Sequence, residues 1–358
     1  MIKMIFFDID GTLRPFETGL IPESTKLAIR KAQEAGLYCA IATGRHWVEI
    51  YNEGLVEGMY FDAFATLDGG YNYIPDAKRA KAQFTVNPGY KPKEYQFLME
   101  LPEQELPYFD PKFAEVLLKE SIPEAMVKRL LALLEKDPFP VLFLEERRLY
   151  ANFINEDLLR TLAYVHTGVP PLLPLSNVKT KEQLMLIPIL KKEQVAPVET
   201  ELSDCHLIRW SDGLSYDIAK KGVAKIHGIQ RIIDRLGITM DEVAAIGDGW
   251  NDVEMLESVG LGIAMGNAAP ATKAVSRLVL LDGKFSSLPA ALEQGRQVIT
   301  NIEMVANLFL TKTGFAILLG VLFSLFGLTF PFLPRQYSTA DFLIVGASSF
   351  ALTLLPNS

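Results

Sequence analysis

The sequence predicts an α/β protein in which a doubly wound parallel sheet carries an inserted α+β domain and ends in a hydrophobic helical hairpin. Three observations support this class. Short apolar runs typical of buried strands alternate with helical segments in residues 1–80 and again in residues 209–285. Between them, residues 81–208 lose that alternation. After them, residues 286–358 become strongly apolar, and residues 313–333 contain no charged side chain.

The first part of the predicted core holds three strands. The continuous apolar run at residues 3–7 fits a parallel strand covered on both faces. The following segment reads as a helix that ends at Gly36. Residues 37–42 and a segment ending at residues 64–67 supply the second and third strands. Strands alternating with helices in this way predict a parallel sheet.

The predicted insertion, residues 81–208, opens with prolines scattered among charges between residues 88 and 113. Residues 122–135 then read as an amphipathic helix. Val141–Leu144 and residues 149–153 read as two strands of a hairpin. We interpret this region as a second α+β domain inserted into the first.

The second part of the core, residues 209–285, returns to the first pattern. Lys225–Leu236 and residues 252–259 are predicted helices, and residues 242–246 and Leu261–Met265 are predicted buried strands. The two parts together complete the doubly wound sheet.

Composition excludes several classes. The 358 residues are 49% apolar and 22% charged, which is typical of globular chains of more than one domain. The net charge of -8 and the lack of a basic stretch argue against a nucleic-acid partner. Cys39 and Cys205 are far apart in the sequence, so they indicate buried thiols in a reducing compartment rather than a disulfide framework. The apolar run within residues 1–8 is too short for a signal peptide, and an acidic residue follows it directly.

The first chemical motif, residues 8–13, is Asp-Ile-Asp-Gly-Thr-Leu directly after a buried strand. Ligands of open α/β sheets bind beyond the carboxyl ends of strands. Asp8 can therefore attack phosphorus to form an aspartyl-phosphate, and Asp10 can protonate the leaving oxygen and later activate water. An ordinary Asp-Gly turn is the alternative for this motif alone.

Two further elements fit an anion. Thr43 and Gly44, after the second strand, offer a hydroxyl and a backbone N–H at the start of a helix. Lys225, at the start of its predicted helix, can neutralise a nucleophile and phosphoryl oxygens. Lys220 and Lys221 compete with it for this role, and a surface lysine is the default interpretation of any one of them.

The fourth motif, residues 247–252, reads Gly-Asp-Gly-Trp-Asn-Asp at the end of another buried strand. Asp248 and Asp252, four apart on a glycine turn, can hold a hard cation. Mg²⁺ suits the site because it keeps its waters and takes only one or two carboxylates plus substrate phosphate.

These four motifs, in this order, resemble the haloacid dehalogenase (HAD) superfamily of phosphohydrolases, and specifically its Cof-type, sugar-phosphatase-like branch, over about residues 1–275. The resemblance implies a Rossmann-like core with Asp8 as nucleophile and Asp10 as general acid and base. It implies the following phosphate-binding residues: Thr43, Gly44, Lys225 and Asn251. It implies the following Mg²⁺-site residues: Asp8, Asp10 through its backbone carbonyl, Asp248 and Asp252. The resemblance also makes the inserted domain, residues 81–208, a cap that selects the substrate, and the implied substrate is a small phosphate ester such as a sugar phosphate.

The chain also departs from this family. Ile226 follows Lys225 where the family usually has glycine, and residues 67–70, Leu-Asp-Gly-Gly, replace an Asn-Gly-Ala segment. Residues 85–120 do not read like a standard cap. These departures bear on substrate choice more than on reaction class.

The tail carries a second resemblance. Residues 280–283, 295–303 and 305–313 resemble the end of a P-type cation-transporting ATPase, from its phosphorylation domain into the membrane helices. A pump is not predicted, because a P-type nucleophile motif reads Asp-Lys-Thr-Gly-Thr, whereas Ile9 and Asp10 follow Asp8 here. With a second carboxylate beside it, the phosphoenzyme should hydrolyse quickly rather than persist.

Three interpretations of the tail stay open. Residues 313–333 have the length of a membrane span, whereas a second candidate, residues 342–355, is short. Residues 305–355 would then anchor a cytoplasmic catalytic domain to a bilayer. Alternatively, the two helices are buried in a soluble oligomer, or a recombined chain ends in a tail without function. Residues 286–358 thus predict a stalk-like helix followed by a hairpin, with a regulatory or transport-associated role as the alternative function.

Overall fold

The computed structural model describes residues 1–56, 58–80, 103–210, 212–283 and 288–329, together with 339, 342–347 and 350. The chain divides into two compact units, Met1–Phe285 and Ser286–Ser358. The first unit contains two β-sheets, and the second contains a long helix.

The larger sheet has eight strands in the order β13-β12-β11-β1-β2-β3-β4-β5. Its strands are β1 (Met4–Phe7), β2 (Tyr38–Ala42), β3 (Ala63–Thr66), β4 (Tyr71–Pro75), β5 (Ala114–Lys119), β11 (Val243–Gly247), β12 (Leu261–Met265) and β13 (Leu278–Leu280). The strands from β13 to β3 are parallel, and β4 and β5 add an antiparallel edge. The predicted doubly wound parallel sheet is confirmed.

The smaller sheet has five antiparallel strands in the order β7-β6-β8-β10-β9. Its strands are β6 (Val141–Leu144), β7 (Leu149–Ala151), β8 (Met185–Pro188), β9 (Cys205–Arg209) and β10 (Tyr216–Lys220). The predicted hairpin is present, since Leu144 pairs with Leu149 across its turn. A separate apolar core, with Phe143, Tyr150 and Ile218 at its centre, lies beneath this sheet.

The described residues contain nine α-helices, eight in the first unit and one in the second. They are α1 (Glu23–Glu34), α2 (Trp47–Asn52), α3 (Glu124–Lys136), α4 (Glu156–Tyr164), α5 (Lys192–Glu201), α6 (Lys225–Leu236), α7 (Val253–Ser258), α8 (Pro270–Val275) and α9 (Leu288–Leu325). Helix α6 packs on the larger sheet through Ile229, Ile232 and Ile233, which are fully buried. Each such side chain contributes about 1.5–3 kcal/mol of hydrophobic stabilisation. Gly237 ends the helix in the left-handed conformation, with φ of 67°.

Sheet membership does not follow the predicted boundaries at residues 81 and 208. Strand β5 lies within the predicted insertion, yet it pairs with β4 at the edge of the larger sheet, with Lys119 opposite Tyr71. Strand β10 lies within the predicted core, yet it pairs with β8 and β9 of the smaller sheet. We refer to residues 120–220, which leave and return to the larger sheet, as the cap. Much of the proline-rich stretch at residues 88–113 lies outside the described residues.

The tail differs from the predicted hairpin. It contains one long helix, α9, because its sequence continues helical through Leu325 without an interior break. Of the second predicted arm, residues 342–355, only 342–347 and 350 are described, and Phe342–Ala347 form a single π-helical stretch. The apolar part of α9, Gly295–Leu325, is long and uncharged enough to cross a membrane, and none of its most apolar window is buried within the chain.

The topology places the chemical motifs together. Strands β1 and β11 are neighbours in the larger sheet, and Phe7 pairs with Ile246. The chain winds outward from β1 in one direction through β2 and β3, and in the other through β11, β12 and β13. The carboxyl ends of β1 and β11 therefore form the switch point of the sheet, where ligands of open α/β folds bind.

Candidate active site

Three buried carboxylates and one buried lysine occupy the switch point. Asp8 follows β1, and Asp248 and Asp252 follow β11; one oxygen of each lies within 4.8 Å of the others. The Lys225 ammonium, from the first turn of α6, donates to Asp8 Oδ1 at 2.8 Å and to Asp252 Oδ1 at 2.7 Å. These four side chains expose 8% of their surface or less. The lysine thus joins the two halves of the site.

The electrostatics of this cluster reflect an excess of negative charge. Burial raises the pKa of Asp8 well above its ordinary value, Lys225 opposes that shift, and Asp252 and Asp248 add to it. Burial and the Asp252 charge raise the pKa of Asp248 to about 7. For Lys225, burial lowers the pKa, but Asp252 and Asp8 more than offset it, so its pKa is raised. A further cation would relieve the repulsion among the carboxylates.

The donor set fits Mg²⁺. The ligands on offer are carboxylate oxygens, which a hard cation prefers, and there is no thiolate or imidazole in the described cluster. Asp8, Asp248 and Asp252 converge where the sequence predicts the metal. Asp10 differs, because its carboxylate binds an arginine, which leaves its backbone carbonyl as the group for the predicted metal role.

Hydrogen bonds hold the metal-site carboxylates in place. Thr12 donates to Asp248 Oδ1 at 2.9 Å, and Asn267 donates to Asp248 Oδ2 at 2.9 Å. The backbone N–H groups of Asp248 and Gly249 both donate to Asp252 Oδ2, at 2.9 and 2.8 Å. These hydrogen bonds fix the orientation of both carboxylates.

Asp10 is held by Arg45 in a two-pronged ion pair. The guanidinium donates from Nε to Asp10 Oδ2 at 2.7 Å and from Nη2 to Asp10 Oδ1 at 3.1 Å. The same buried arginine donates to Glu49 at 3.0 Å. It also reaches the cap, where it donates to the Thr167 hydroxyl at 2.6 Å and to the Val165 carbonyl at 2.9 Å. One side chain thus links the predicted acid to the cap.

The predicted phosphate-binding residues lie around the same point, but some of their polar groups already have hydrogen-bond partners within the protein. Thr43 and Gly44, after β2, line the cavity beside Asp8. The Thr43 hydroxyl accepts the N–H of Arg45 at 3.1 Å. Asn251 also lines the cavity, but its amide donates to Asp68 Oδ1 at 2.8 Å. Lys220, the competitor of Lys225, instead pairs with Glu120 at 2.7 Å and is partly exposed.

A cavity of about 140 Å³ opens over these groups, with walls from both sheets. The larger sheet contributes Asp8, Asp10, Asp248 and Thr43. The cap contributes apolar and aromatic side chains from α4, β8 and the β9–β10 region, together with Arg209 and Asp217. This is the arrangement of a small-ligand site, concave and mostly apolar with a few polar groups at one end.

The haloacid dehalogenase-like hydrolase family matches this chain over residues 5–84 and 108–289. The chain belongs to this family. The predicted family is therefore confirmed, and the predicted enzyme class, a HAD-type phosphohydrolase, is confirmed at the level of the family.

Two relatives that align with about 80% of this chain are phosphatases. The HAD subclass IIB sugar phosphatase BT4131 superposes with a TM-score of 0.62 at 29% identity, over 81% of this chain and 98% of that chain. The pyridoxal phosphate phosphatase YbhA of Escherichia coli is 29% identical over 293 residues, which is 80% of this chain and 96% of YbhA.

A different relative supports the second predicted resemblance. The calcium-transporting ATPase CtpE of Mycolicibacterium smegmatis is 44% identical over 126 residues, or 32% of this chain. The match spans 16% of the length of CtpE. The similarity to a P-type ATPase is thus a segment and not the whole pump.

Several site residues carried no role in the sequence analysis. Arg45 stood in a recognised motif, and Glu49 four residues on signalled a helical ion pair with it. Asn267 follows the glycine after β12, and nothing in the local sequence indicates that its side chain contacts Asp248. Asp68 was noted only as a departure from the family, and Asp217 not at all. Their placement depends on tertiary contacts that no local pattern encodes.

Proposed function

We propose that this protein is a Mg²⁺-dependent phosphohydrolase that acts on a small phosphorylated metabolite through an aspartyl-phosphate. The observation that carries the proposal is the Lys225 ammonium held between Asp8 and Asp252, with Asp248 alongside. A buried carboxylate at a strand end, with a fixed cation on one oxygen and its other oxygen available, is suited to attack on phosphorus.

In the proposed reaction, Asp8 forms a bond to phosphorus while the bond from phosphorus to the ester oxygen breaks. Asp10 takes up a proton when one of its oxygens separates from Arg45 and gives that proton to the departing oxygen, so that an alcohol leaves. Asp10 then takes a proton from water as the water attacks the aspartyl-phosphate, which releases phosphate and restores Asp8. Mg²⁺ at Asp8, Asp248 and Asp252, when bound, supplies positive charge for the phosphoryl oxygens.

For the other site residues, we propose that Thr43, Gly44, Lys225 and Asn251 contact the phosphoryl group. Thr43 and Gly44 lie where a hydroxyl and a backbone N–H can meet an anion. Asn251 requires a change of partner, because its amide donates to Asp68. The cap supplies the remaining walls, and we propose that it selects the leaving group. The named relatives make sugar phosphates and pyridoxal phosphate the first candidates.

The test is phosphate release from a panel of small phosphate esters, with and without Mg²⁺. We expect release that depends on Mg²⁺ and is abolished in Asp8→Asn, which removes the nucleophile while keeping its shape. Activity of Asp8→Asn within tenfold of the parent would refute the assignment. Asp10→Asn should slow breakdown of the phosphoenzyme, so that a phosphorylated protein accumulates; an unchanged breakdown rate would exclude Asp10 as the base.

A second proposal concerns the tail. The exposed apolar stretch Gly295–Leu325 is about 46 Å long as a helix, more than the roughly 30 Å of a bilayer core. Together with the segment similar to CtpE, this supports a membrane anchor that holds the catalytic unit at a cytoplasmic surface. Full-length protein should sediment with membranes and require detergent, whereas a chain ending at residue 285 should not. Full-length protein found in the aqueous fraction after lysis would contradict the anchor.

A further inference from the structure

Asp217 is a buried carboxyl group in the cavity that the proposed reaction does not use. It lies on β10 of the cap, is 4% exposed, and lines the same cavity as Asp8, Asp10 and Thr43. Within the described part of the chain, its Oδ1 has no hydrogen-bond partner. An unsatisfied buried acceptor costs about 1–3 kcal/mol, so such an atom beside a cavity marks a place where a ligand or a water can donate to it.

A second carboxyl group faces Asp217 across Gly44. A side-chain carbon placed on Gly44 would lie 3.3 Å from Asp68 Oδ1 and 3.5 Å from Asp217 Oδ2, so both acids approach the same backbone position. Asp68 is fully buried and its Oδ2 also lacks a partner in the described residues. It adopts a φ of 53°, a left-handed conformation uncommon outside glycine.

The two acids differ in what they contact. Asp68 accepts a hydrogen bond from Asn251 and belongs to the larger sheet. Asp217 belongs to the cap and interacts with the Trp210 side chain. Burial and the Asp68 charge raise the pKa of Asp217 well above its ordinary value. A hydrogen-bond donor from a ligand would relieve this crowding of oxygen atoms.

Aromatic and aliphatic side chains form most of the cavity wall, with Arg209 beside them on the cap. The apolar lining residues are Phe16, Tyr164, Val165, Ile187, Ile208, Trp210 and Trp250. Phe16 and Tyr164 stack with ring centroids 5.3 Å apart, which joins the loop after the nucleophile to the cap. An aromatic group packs favourably against such a wall, whereas a polyol would leave hydroxyl groups without partners.

We infer that Asp217 is the specificity-determining residue of this site. It selects phosphate esters whose leaving group is an aromatic ring that carries a hydrogen-bond donor, either a hydroxyl or an ammonium group. The inference rests on the proposed phosphatase function and adds the substrate class to it. Asp217 accepts the donor beside Gly44, the aromatic wall covers the ring, and the phosphate points to Asp8.

The experiment compares kcat/KM for four esters on the full-length protein. Pyridoxal 5′-phosphate and pyridoxamine 5′-phosphate carry a ring with donors, and only the second adds an ammonium group. Benzyl phosphate has the same ring-CH₂-phosphate connection without a donor. Glucose 6-phosphate has donors without a ring. The proteins are the parent, Asp217→Asn, Asp217→Leu, and the control Asp204→Asn, which removes an exposed charge next to β9 and away from the cavity.

The readout is the ratio of kcat/KM for pyridoxal 5′-phosphate to that for benzyl phosphate. Because both rates come from the same preparation, the ratio is independent of how much of a variant folds. The parent should prefer the donor-bearing ester by about tenfold, the size of one satisfied hydrogen bond. Asp217→Asn and Asp217→Leu should lower this ratio by about tenfold, and Asp204→Asn should leave it unchanged.

Other outcomes separate the possibilities. A ratio unchanged in both Asp217 variants would overturn the inference and leave Asp217 as a group that joins cap and core. A parent that prefers glucose 6-phosphate to all the ring esters would overturn the aromatic part. Preference for pyridoxamine over pyridoxal 5′-phosphate would identify the donor as the ammonium group, and equal rates would identify a donor on the ring that the two esters share. Release from none of the four esters would count against the phosphatase function itself.

Discussion

Replacing Lys225 with methionine tests the electrostatic design of the site. The ammonium lies 2.8 Å from Asp8 and 2.7 Å from Asp252, and all three side chains are buried. At an effective dielectric constant of about 20, each pair is worth about 6 kcal/mol of Coulomb attraction. Burial of the three charges offsets most of this. Removing one partner of a buried pair nevertheless leaves charges uncompensated, at a cost of about 3–5 kcal/mol.

We therefore expect Lys225→Met to lower the free energy of unfolding of the magnesium-free protein by about 3–5 kcal/mol. Urea denaturation followed by circular dichroism measures this value, and Mg²⁺ should restore part of it by compensating the carboxylates. Phosphate release should fall at least a hundredfold, because the variant lacks the fixed cation beside the nucleophile.

Lys220→Met is the matched control. Lys220 is five residues away and makes an ion pair of the same length, 2.7 Å to Glu120, but both side chains are partly exposed. Such a pair contributes about 0–1 kcal/mol. If the two variants lose the same stability, or if Lys225→Met loses less than about 1 kcal/mol, the buried cluster does not have the energetic role derived above.

Two further predictions concern Arg45 and its neighbour. Arg45→Lys keeps the charge but loses the two-pronged contact to Asp10. We therefore expect kcat to fall about tenfold to a hundredfold, with little change in the Mg²⁺ concentration that gives half-maximal activity. An unchanged kcat in steady-state kinetics would contradict this prediction. Burial lowers the pKa of His46 to about 3 in the folded protein, from about 6.5 in the unfolded chain, so the unfolded chain binds the proton more readily. The stability that neutral His46 provides is therefore present above pH 6.5 and is lost as the pH falls toward 3. The loss should be about 2 kcal/mol at pH 5 and absent in His46→Asn, which keeps a capping group for α2; parallel pH profiles of the two proteins would refute it.

The core and its motifs were predictable because they depend on local patterns. Helix α6 and strand β12 have the predicted bounds, since buried parallel strands are short continuous apolar runs and helices repeat every 3.6 residues. Motifs at strand ends could be placed together because parallel strands share one edge. The convergence of Asp8 with Asp248 follows from strand order alone.

The cap and its contacts were less predictable. Strand β5 has no fully buried residue, and its local sequence does not indicate that it pairs with β4 rather than with the strands of the cap. The same is true of Asp217, since a lone acid in a short strand carries no signal of the cavity that it lines. The tail was predicted as a hairpin from two apolar runs, but apolar composition gives no position for a turn, and α9 continues through Leu325.

The central position of β1 has a consequence for synthesis of the chain. Thr12 and Asp248, which hydrogen-bond across the active site, are 236 residues apart in sequence. At about 5–20 residues per second, a ribosome needs on the order of ten to fifty seconds to make the second after the first. During that interval β1 can pair with β2 but lacks its other neighbour, β11, and its apolar edge is open to wrong partners. Asp8 is thus among the first residues synthesised, but the active site is complete only after β11 has been made. The chain is therefore most exposed to aggregation while it is being synthesised.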